Sequence, residues 1–480
     1  MNLANWTLER DADGIAWATL DVADAAANTL GAAVLTELAS LLDALDRQPP
    51  TGLVIRSGKA AGFIAGANID EFTRIDSAAA ARALVERGWN LFARLASVSY
   101  PTLALVRGHC MGGGLELALA CRYRLVVDEP ATRLALPEVM LGIYPAWGGM
   151  LRLPQLIGPA AALDLMLTGK GVDAAKARRL GLADDCVPAR VMDNAARILL
   201  LSGREPRRLP LLQRLLNGPL AGIVAARANK QVATKALPEH YPAPFAIIDI
   251  WARYGGNALA VPAASSSSLE AIFRSSTARN LVRVFFLQER LKAFGKDADF
   301  QPRRVHVIGA GVMGGDIATE CALRGMIVTL QDQSIERIAP AIARAAKRIE
   351  RKFRGKRREA RFALDRLIPD PAGHGVAQAD VIIEAIFENL EAKRALFIDI
   401  EQRARPDAVL ASNTSSLRIA DIAAALKAPG RLVGIHFFNP VAVLPLVEVV
   451  KGRATFDETY RRAASFVRKL DKLPLPVKDE

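Results

Sequence analysis

A run of three glycines followed by a glutamate is the first feature of this sequence that could do chemistry. Gly112, Gly113 and Gly114 follow the apolar segment 102–108 and precede Glu116 at the start of a helical run. A strand that passes through glycines into a helix exposes backbone N–H groups at the positive end of the helix dipole, where an oxyanion can be held. The same residues could instead form an ordinary tight connection with a solvated glutamate, and the glycines alone do not decide between these interpretations.

Two further segments carry related features. The segment 63–72 contains a glycine-flanked turn that could donate another backbone N–H, and the segment 136–150 supplies Glu138 followed by more glycines. Together with 112–116 they contain F-x-A-G-A, G-G-G-x-E and P-E-x-x-L-G-I-x-P, in the order and approximate spacing of the enoyl-CoA hydratase/isomerase superfamily. Residues 10–190 therefore resemble a crotonase.

This resemblance implies a crotonase-like ββα superhelix and a set of site residues. The N–H groups of Ala67 and Gly113 would form an oxyanion hole for the thioester carbonyl of an acyl-CoA. Glu116 and Glu138 would flank its α and β carbons and share a water. Hydration of an α,β-unsaturated thioester needs one ionised carboxylate and one that can hand over a proton. Each oxyanion donor is expected to lower the barrier by about 3 kcal/mol.

Two departures from the family pattern bear on rate and substrate preference. Asn68 stands where the family commonly has Asp, and Ala146 stands where it commonly has Gly, at a position whose N–H helps to hold the water. The presence of both glutamates favours a hydratase over isomerase or thioesterase chemistry. The alternatives are a Δ3,Δ2-enoyl-CoA isomerase and a non-catalytic scaffold that binds acyl-CoA and NAD, although a scaffold would have no use for two carboxylates.

A second motif predicts a dinucleotide site. The G-x-G-x-x-G pattern comprises Gly309, Gly311 and Gly314, with Met313 inside it, directly after a predicted strand and at the start of a helix. Glycines there allow a tight turn and close approach of a pyrophosphate, which the helix N-terminus stabilises. Asp332 ends the next strand, where it would accept hydrogen bonds from a ribose 2′-hydroxyl, so NAD is favoured over NADP. The alternative is a glycine-rich turn without a cofactor.

Residues 303–480 resemble the 3-hydroxyacyl-CoA dehydrogenases through SNTSSL at 412–417, HFFNPV at 436–441 and LVEVVKG at 446–452. The resemblance implies that His436 takes the proton of the 3-hydroxyl group and that Glu448 orients its imidazole. Without the motif, a lone histidine here would more often be a core residue. The other positions implied to lie near cofactor or substrate are Ile386, Phe387, Glu388, Lys393, Ser415 and Asn439.

The order of crotonase segment, helical linker and NAD segment, including HYPAP at 240–244, is typical of the multifunctional α-subunits of fatty-acid β-oxidation complexes. Some members of that family bind a thiolase β-subunit, which is therefore a possible partner. In dehydrogenases of this kind a P-G-F-x-x-N-R segment and a helical domain follow the NAD domain, whereas this sequence ends at LPLPVKDE. Either these 480 residues are part of a longer chain or the dehydrogenase half is vestigial, and in both cases we expect NAD binding with weak or absent dehydrogenase turnover.

Hydrophobic periodicity predicts the elements that must hold these residues. We expect an α/β protein with a crotonase domain over 1–190, a helical linker over 191–302 and a Rossmann-type NAD-binding domain, a doubly wound sheet, over 303–480. Ser268 is placed to cap a helix that begins near Leu269. Helical spacing occurs at 78–97 and 155–167, and the predicted strands lie at 53–58, 102–108, 305–309, 326–332, 380–386, 408–413, 431–438 and 446–450.

Composition restricts the remaining possibilities. The 480 residues are 51% apolar and 24% charged, as in folded globular proteins, and basic residues exceed acidic ones by 13, which favours anionic partners. No signal peptide, membrane span, P-loop or G-x-S-x-G is visible, and the five histidines include no H-E-x-x-H, so we expect no metal. The four cysteines predict reduced core thiols and a cytoplasmic location. A basic stretch at 344–361 lacks an aromatic platform, so a solvated helix is favoured over a nucleic-acid site.

Overall fold

The computed structural model describes residues 3–60, 62–72, 77–296 and 300–479, and the chain divides into two compact units, Met1–Phe285 and Phe286–Glu480. Both units are mixed α/β, which confirms the predicted fold class. In the described part of the chain, no helix is long and apolar enough to cross a membrane.

The first unit contains the following strands: β1 Trp6–Arg10, β2 Ile15–Leu20, β3 Gly52–Ser57, β4 Gly62–Ile64, β5 Thr102–Val106, β6 His109–Met111, β7 Tyr123–Val127, β8 Arg133–Ala135, β9 Val172–Asp173 and β10 Asp185–Val187. Its helices are α1 Ala32–Arg47, α2 Ile69–Phe72, α3 Ala78–Ser97, α4 Gly113–Ala120, α5 Gly149–Ile157, α6 Pro159–Thr168, α7 Ala174–Leu180, α8 Met192–Leu201, α9 Leu211–Leu216, α10 Ala221–Ala233, α11 Pro242–Tyr254 and α12 Leu269–Phe273. The next helix, α13, spans Ser276–Ala293.

Two sheets position the chemistry of the first unit. The larger has the order β1-β2-β3-β5-β7-β10, and only β1 is antiparallel to its neighbour. The smaller has the order β4-β6-β8-β9. The predicted strands at 53–58 and 102–108 are β3 and β5, which pair side by side, and all five residues of β5 are buried, as expected for a parallel strand covered on both faces. The predicted helix at 78–97 is α3.

The helical segment predicted at 155–167 is two helices. Gly158 separates α5 from α6 with a φ of +85°, a conformation that glycine adopts readily and other residues do not. Pro159 follows as the first residue of α6, where its missing N–H leaves no bond unmade. Hydrophobic spacing continues across the break, which is why periodicity alone did not reveal it.

The region after residue 190 is helical, and α11 and α12 pack their apolar faces into the core of the first unit. Ser268 caps α12 as predicted: its hydroxyl accepts a hydrogen bond from the N–H of Ala271 at 3.1 Å. This cap fixes the start of a helix whose last residue, Phe273, reaches the cavity described below.

The second unit is built on one eight-stranded sheet. Its strands are β11 Arg304–Ile308, β12 Ile327–Gln331, β13 Leu367–Pro369, β14 Val381–Glu384, β15 Val409–Ser412, β16 Leu432–Phe437, β17 Leu446–Lys451 and β18 Leu473–Lys478. Its helices after α13 are α14 Val312–Leu323, α15 Ile335–Lys352, α16 Arg357–Leu364, α17 Leu390–Arg403, α18 Ile419–Ala423 and α19 Asp457–Lys469.

The strand order β13-β12-β11-β14-β15-β16-β17-β18 makes this sheet doubly wound. The chain builds outward from β11 on one side through β12 and then on the other through β14, so the switch point lies beside β11, where such folds bind ligands. All the strands from β13 to β16 in this order are parallel, and β17 is antiparallel to β16. All six strands predicted beyond residue 303 are present.

Two of the sequence predictions, for the basic stretch and for the cysteines, were wrong in part. The basic stretch at 344–361 is exposed helical surface, but it forms parts of α15 and α16 rather than one helix. The four cysteines are free thiols, yet only Cys110, Cys121 and Cys321 are buried, whereas Cys186 is half-buried near the end of the first unit's larger sheet.

Candidate active sites

A cavity in the first unit brings the predicted hydratase residues together. The cavity and the open solvent at its mouth together contain about 600 Å³ that no protein atom fills, and its walls include Ala67, Gly113, Glu116 and Glu138. These residues come from the turn after β4, the first turn of α4 and the short 3-10 helix Glu138–Leu141. Three segments that are separate in the sequence therefore form one site.

The N–H groups of Ala67 and Gly113 lie side by side on the cavity wall. Gly112 has a φ of +52°, so the chain turns sharply between β6 and α4 and leaves Gly113 at the first position of the helix. A Cβ atom at Gly113 would lie 3.5 Å from the nitrogen of Ala67. Within the described residues, neither N–H donates to a protein acceptor, so both are available to an oxyanion.

Glu116 is buried and tightly held. Its Oε1 accepts hydrogen bonds from the N–H groups of Trp147 and Gly149, both at 2.8 Å. Burial raises the pKa of the Glu116 carboxyl to about 7, against the opposing effect of these two donors and of the Arg152 charge. A carboxyl with this pKa is poised to exchange a proton near neutral pH.

Glu138 has fewer hydrogen-bond donors around its carboxyl than Glu116. Its Oε2 is buried without a hydrogen-bond partner among the described residues. Burial, reinforced by the negative charge of Glu116, raises the pKa of Glu138 well above its ordinary value. Of the two carboxyls, Glu116 is therefore the one favoured as a carboxylate and Glu138 the one favoured as a neutral acid.

Sequence reasoning missed the donors that hold Glu116. It assigned a water-holding N–H to Ala146, which lines the cavity, and that role stays a prediction. The N–H groups that donate to the Glu116 carboxylate belong to Trp147 and Gly149. The two adjacent glycines at 148 and 149 were the available sequence signal for a sharp turn here. Gly148 does adopt a φ of +112°, which favours glycine. Asn68, the other departure, uses its side-chain oxygen to accept from the N–H of Asp70 at 3.1 Å.

The glycine motif of the second unit forms the turn between β11 and α14. A Cβ atom at Gly314 would lie 1.9 Å from the carbonyl oxygen of Gly309, and one at Gly309 would lie 2.4 Å from that of Ala385. Nothing lies within 4 Å of a Cβ placed at Gly311. Two glycines are therefore required for packing, and Gly311 leaves the open approach that a pyrophosphate needs. Met313, in the first turn of α14, is half-buried against the core.

Asp332 follows β12 and lies against this turn. Its Oδ2 accepts a hydrogen bond from the N–H of Ala310 at 2.8 Å. The carboxylate is thus fixed beside the helix N-terminus, at the position from which an acidic residue can reach a ribose.

A buried ion pair supports the residues after β14. Lys393 is only 1% exposed, and its ammonium lies 2.5 Å from Glu384 and 3.2 Å from Glu388. Lys393 was predicted to lie near the cofactor, but a side chain buried to this degree can act on it only through Glu388. Glu384, which also accepts from the N–H of Ile386, was missed, although an acid in an otherwise apolar strand was a signal. Phe387 is largely exposed.

Glu388 gathers the SNTSS segment around one carboxylate. The N–H of Ser415 donates to it at 2.9 Å, and the Thr414 hydroxyl donates to the same oxygen. Burial alone would raise the pKa of Glu388, but Thr414, Ser415 and Lys393 together lower it to about 2. Ser415 is exposed in the loop that follows β15.

His436 and Glu448 are cross-strand neighbours on β16 and β17. The His436 Nδ1 lies 2.9 Å from Oε2 of Glu448, which leaves Nε2 to face away from the carboxylate. Both side chains are half-buried, and His436 packs against the ring of Phe438 at 4.8 Å. The imidazole of His436 is thus paired with a carboxylate and not with a backbone carbonyl. A carboxylate partner favours the protonated imidazolium that forms when His436 acts as a base. Asn439 follows the end of β16 on the surface.

Comparison with known proteins gives the class to which this architecture belongs. Residues 10–203 match the enoyl-CoA hydratase/isomerase family, and residues 304–480 match the NAD binding domain of 3-hydroxyacyl-CoA dehydrogenase. The protein is therefore an enzyme that joins a hydratase domain to an NAD-binding dehydrogenase domain, and its cofactor is NAD.

The fatty acid oxidation complex subunit alpha of Shewanella amazonensis is 39% identical over 491 residues, which cover 99% of this chain and 69% of that protein. The subunit of the same name from Vibrio campbellii is 36% identical with the same coverage. This chain belongs to the family of fatty acid oxidation complex alpha subunits, enzymes of fatty acid β-oxidation. A crystal structure of 3-hydroxybutyryl-CoA dehydrogenase from Escherichia coli K12 is 40% identical over 38% of this chain and 39% of that chain, with a TM-score of 0.36.

Proposed function

We propose that the first unit hydrates trans-2-enoyl-CoA thioesters to 3-hydroxyacyl-CoA. The observation that carries this proposal is the pair of buried glutamates with unequal surroundings, Glu116 and Glu138, in one cavity with two free backbone N–H groups. The N–H groups of Ala67 and Gly113 stabilise the negative charge that develops on the thioester oxygen.

The two glutamates then divide the proton transfers. Glu116, as the carboxylate, takes a proton from the water whose oxygen bonds to Cβ. As the carbon–carbon double bond is lost, the electrons pass to the thioester oxygen and return to Cα, which receives a proton from Glu138. Overall, one water is added to the double bond. After the reaction Glu116 holds a proton and Glu138 has lost one, and transfer of that proton from Glu116 to Glu138 restores the starting state.

The second unit carries the proposed dehydrogenase step. His436 takes the proton of the substrate hydroxyl, Glu448 stabilises the resulting imidazolium, and Ser415 contacts substrate or nicotinamide. The turn at Gly309–Gly314 would hold the pyrophosphate of NAD and Asp332 its ribose, and Ile386, Phe387, Glu388 and Asn439 would contact the remainder of the cofactor. Bound NAD would supply the acceptor for the hydride that leaves the substrate carbon bearing this hydroxyl.

The direct test of the hydratase is the ultraviolet absorbance of a short and a long trans-2-enoyl-CoA, which falls when the conjugated double bond is hydrated. Glu116→Gln and Glu138→Gln should each fold normally and lose about 10² to 10⁴ in rate, because each removes one proton-transfer group. Glu205→Gln, a change at a glutamate 75% exposed on the same unit, is the matched control. Wild-type turnover in either cavity variant would contradict the mechanism.

The same assay distinguishes the alternatives. Conversion of a 3-enoyl-CoA to the conjugated form without hydration would indicate an isomerase, and binding without turnover would indicate a scaffold. Addition of NAD tests the second unit, since NADH formation requires a competent dehydrogenase.

We also propose a cytoplasmic location, a thiolase β-subunit as partner, and the division 1–190, 191–302 and 303–480. The relatives are named as subunits of a complex, which supports a partner chain. The family matches end at 203 and resume at 304, which supports a connecting segment between the two catalytic parts. Co-elution with a purified thiolase subunit in size-exclusion chromatography tests the partnership.

A further inference from the structure

Arg152 is a half-buried cation beside the hydratase cavity. It lies in α5, three residues after the donor Gly149. Within the described residues its guanidinium makes no direct ion pair, and the carboxylate that acts on it through charge is Glu116. A half-buried cation loses solvation energy that no direct ion pair returns here, and such a group is usually retained for a specific reason.

The guanidinium holds the peptide segment that holds Glu116. Arg152 Nη1 donates to the carbonyl oxygen of Trp147 at 3.1 Å, and the N–H groups of Trp147 and Gly149 donate to Glu116. Between them, Gly148 leaves room for the arginine: a Cβ atom there would lie 1.8 Å from Arg152 Nη1. The contacts form one continuous chain from the guanidinium to the carboxylate.

The electrostatic surroundings agree with this geometry. Among the described ionisable groups, those that act on the Glu116 carboxylate are Glu138, which repels its charge, and Arg152, which stabilises it. Arg152 also faces Cys121, but burial raises the pKa of that thiol to about 12, so the thiol is neutral. Arg152 is thus the counter-charge of the pair.

We propose that Arg152 is a positioning residue for hydration: it fixes the amides of Trp147 and Gly149 on Glu116 and keeps Glu116, not Glu138, as the ionised member of the pair. This inference rests on the hydratase function proposed above. Arg152 touches neither water nor substrate in this role and acts through Glu116.

The test compares pH profiles of kcat/KM for hydration of trans-2-butenoyl-CoA. In Arg152→Met the acid limb should move to higher pH by about 1 unit or more, since an opposite charge next to a carboxylate lowers its pKa by about that amount. At a pH about 1 unit below the wild-type limb, this corresponds to an extra loss of roughly tenfold. Arg152→Lys, which keeps the charge, should retain a limb close to that of the wild type.

The control is Arg253→Met, which removes an arginine that is 69% exposed on α11 and should reproduce the wild-type profile. If Arg152→Met does not fold, Arg152→Gln loses the charge but keeps a donor for the Trp147 carbonyl, and it should show the same displaced limb. An unchanged limb in the charge-free variants would overturn the proposal, because a structural role alone lowers the amount of folded enzyme without moving the profile.

A second readout separates this inference from the hydratase proposal. The carboxyl infrared band that is absent from Glu116→Gln identifies Glu116 directly, and its titration should move to higher pH in Arg152→Met. If the wild type fails to hydrate the substrate, the hydratase proposal fails while the infrared titration still decides the role of Arg152. An unmoved band would reject it.

Discussion

Glu138 illustrates how a single residue can lower stability in return for reactivity. Burial and the neighbouring Glu116 raise its pKa in the folded protein, so the folded state holds a proton that the unfolded state releases as the pH rises above the ordinary carboxyl range. The free energy of unfolding therefore falls with rising pH over that interval.

We expect Glu138→Gln to be more stable than the wild type at about pH 8 and equally stable at about pH 4, where the carboxyl is protonated in both states. Thermal unfolding at the two pH values measures this difference. The control is Glu205→Gln, whose exposed carboxyl should leave the melting temperature unchanged at both values. A variant that loses stability at pH 8 would contradict the assigned neutral form of Glu138.

At this scale, the sequence identified side chains better than backbone donors. Glu116 and Glu138 could be found because glutamates next to glycine turns form a recognisable pattern. The donors at Trp147 and Gly149 were harder to find: the glycines at 148 and 149 mark a turn, but every residue has an N–H, and only the path of the chain directs two of them at one carboxylate. The role proposed for Arg152 was hidden for the same reason, because its hydrogen-bond partner is the carbonyl oxygen of Trp147.

In the turn between β11 and α14, one glycine is needed for ligand access and another for packing, so substitutions can test the two roles separately. We expect Gly311→Ala to fold with wild-type stability and to lose NAD affinity, because the added methyl group meets no protein atom but occupies the approach of the pyrophosphate. Gly314→Ala should instead destabilise the second unit, since its Cβ would lie 1.9 Å from the Gly309 oxygen. Calorimetric NAD titration and thermal unfolding of both variants provide the measurements. Equal NAD affinity in Gly311→Ala and the wild type would exclude this turn as the pyrophosphate site.

Helices and strands were predicted correctly where a single hydrophobic pattern extends over the whole element. Buried parallel strands such as β14 and β15 are short apolar runs bounded by polar residues, and these two were located. β7, which is parallel and buried at all five residues, was not predicted. The small sheet of β4, β6, β8 and β9 was missed, because strands of two or three residues are too short to show a period. The break at Gly158 was missed because it depends on a local φ value.

For the whole molecule, the two compact units predict two separable unfolding transitions. All five tryptophans lie between Trp6 and Trp251, so intrinsic tryptophan fluorescence follows the first unit and circular dichroism follows both. NAD at 100 times its dissociation constant should stabilise the second unit by about 2.7 kcal/mol and leave the fluorescence transition in place. Gly311→Ala should lose that response. A fluorescence transition that moves with NAD would show that the units do not unfold independently.

The overall organisation was accessible from sequence because each catalytic part contains motifs that depend on local chain geometry. The G-G-G-x-E and G-x-G-x-x-G patterns each specify a strand, a turn and a helix, and each lies where such a turn is found. The 191–302 segment carries no such motif, and only the Ser268 cap could be placed in it from sequence.

The backbone donors around Glu116 also determine how this enzyme can change under mutation. An N–H group survives every substitution except proline, so a point mutation at Trp147 alters the shape of the cavity wall and leaves the hydrogen bond to Glu116 available. Few substitutions in this segment can therefore abolish hydration, whereas many can alter the range of substrates. An enzyme built in this way can diversify its acyl preference by drift without first passing through an inactive ancestor.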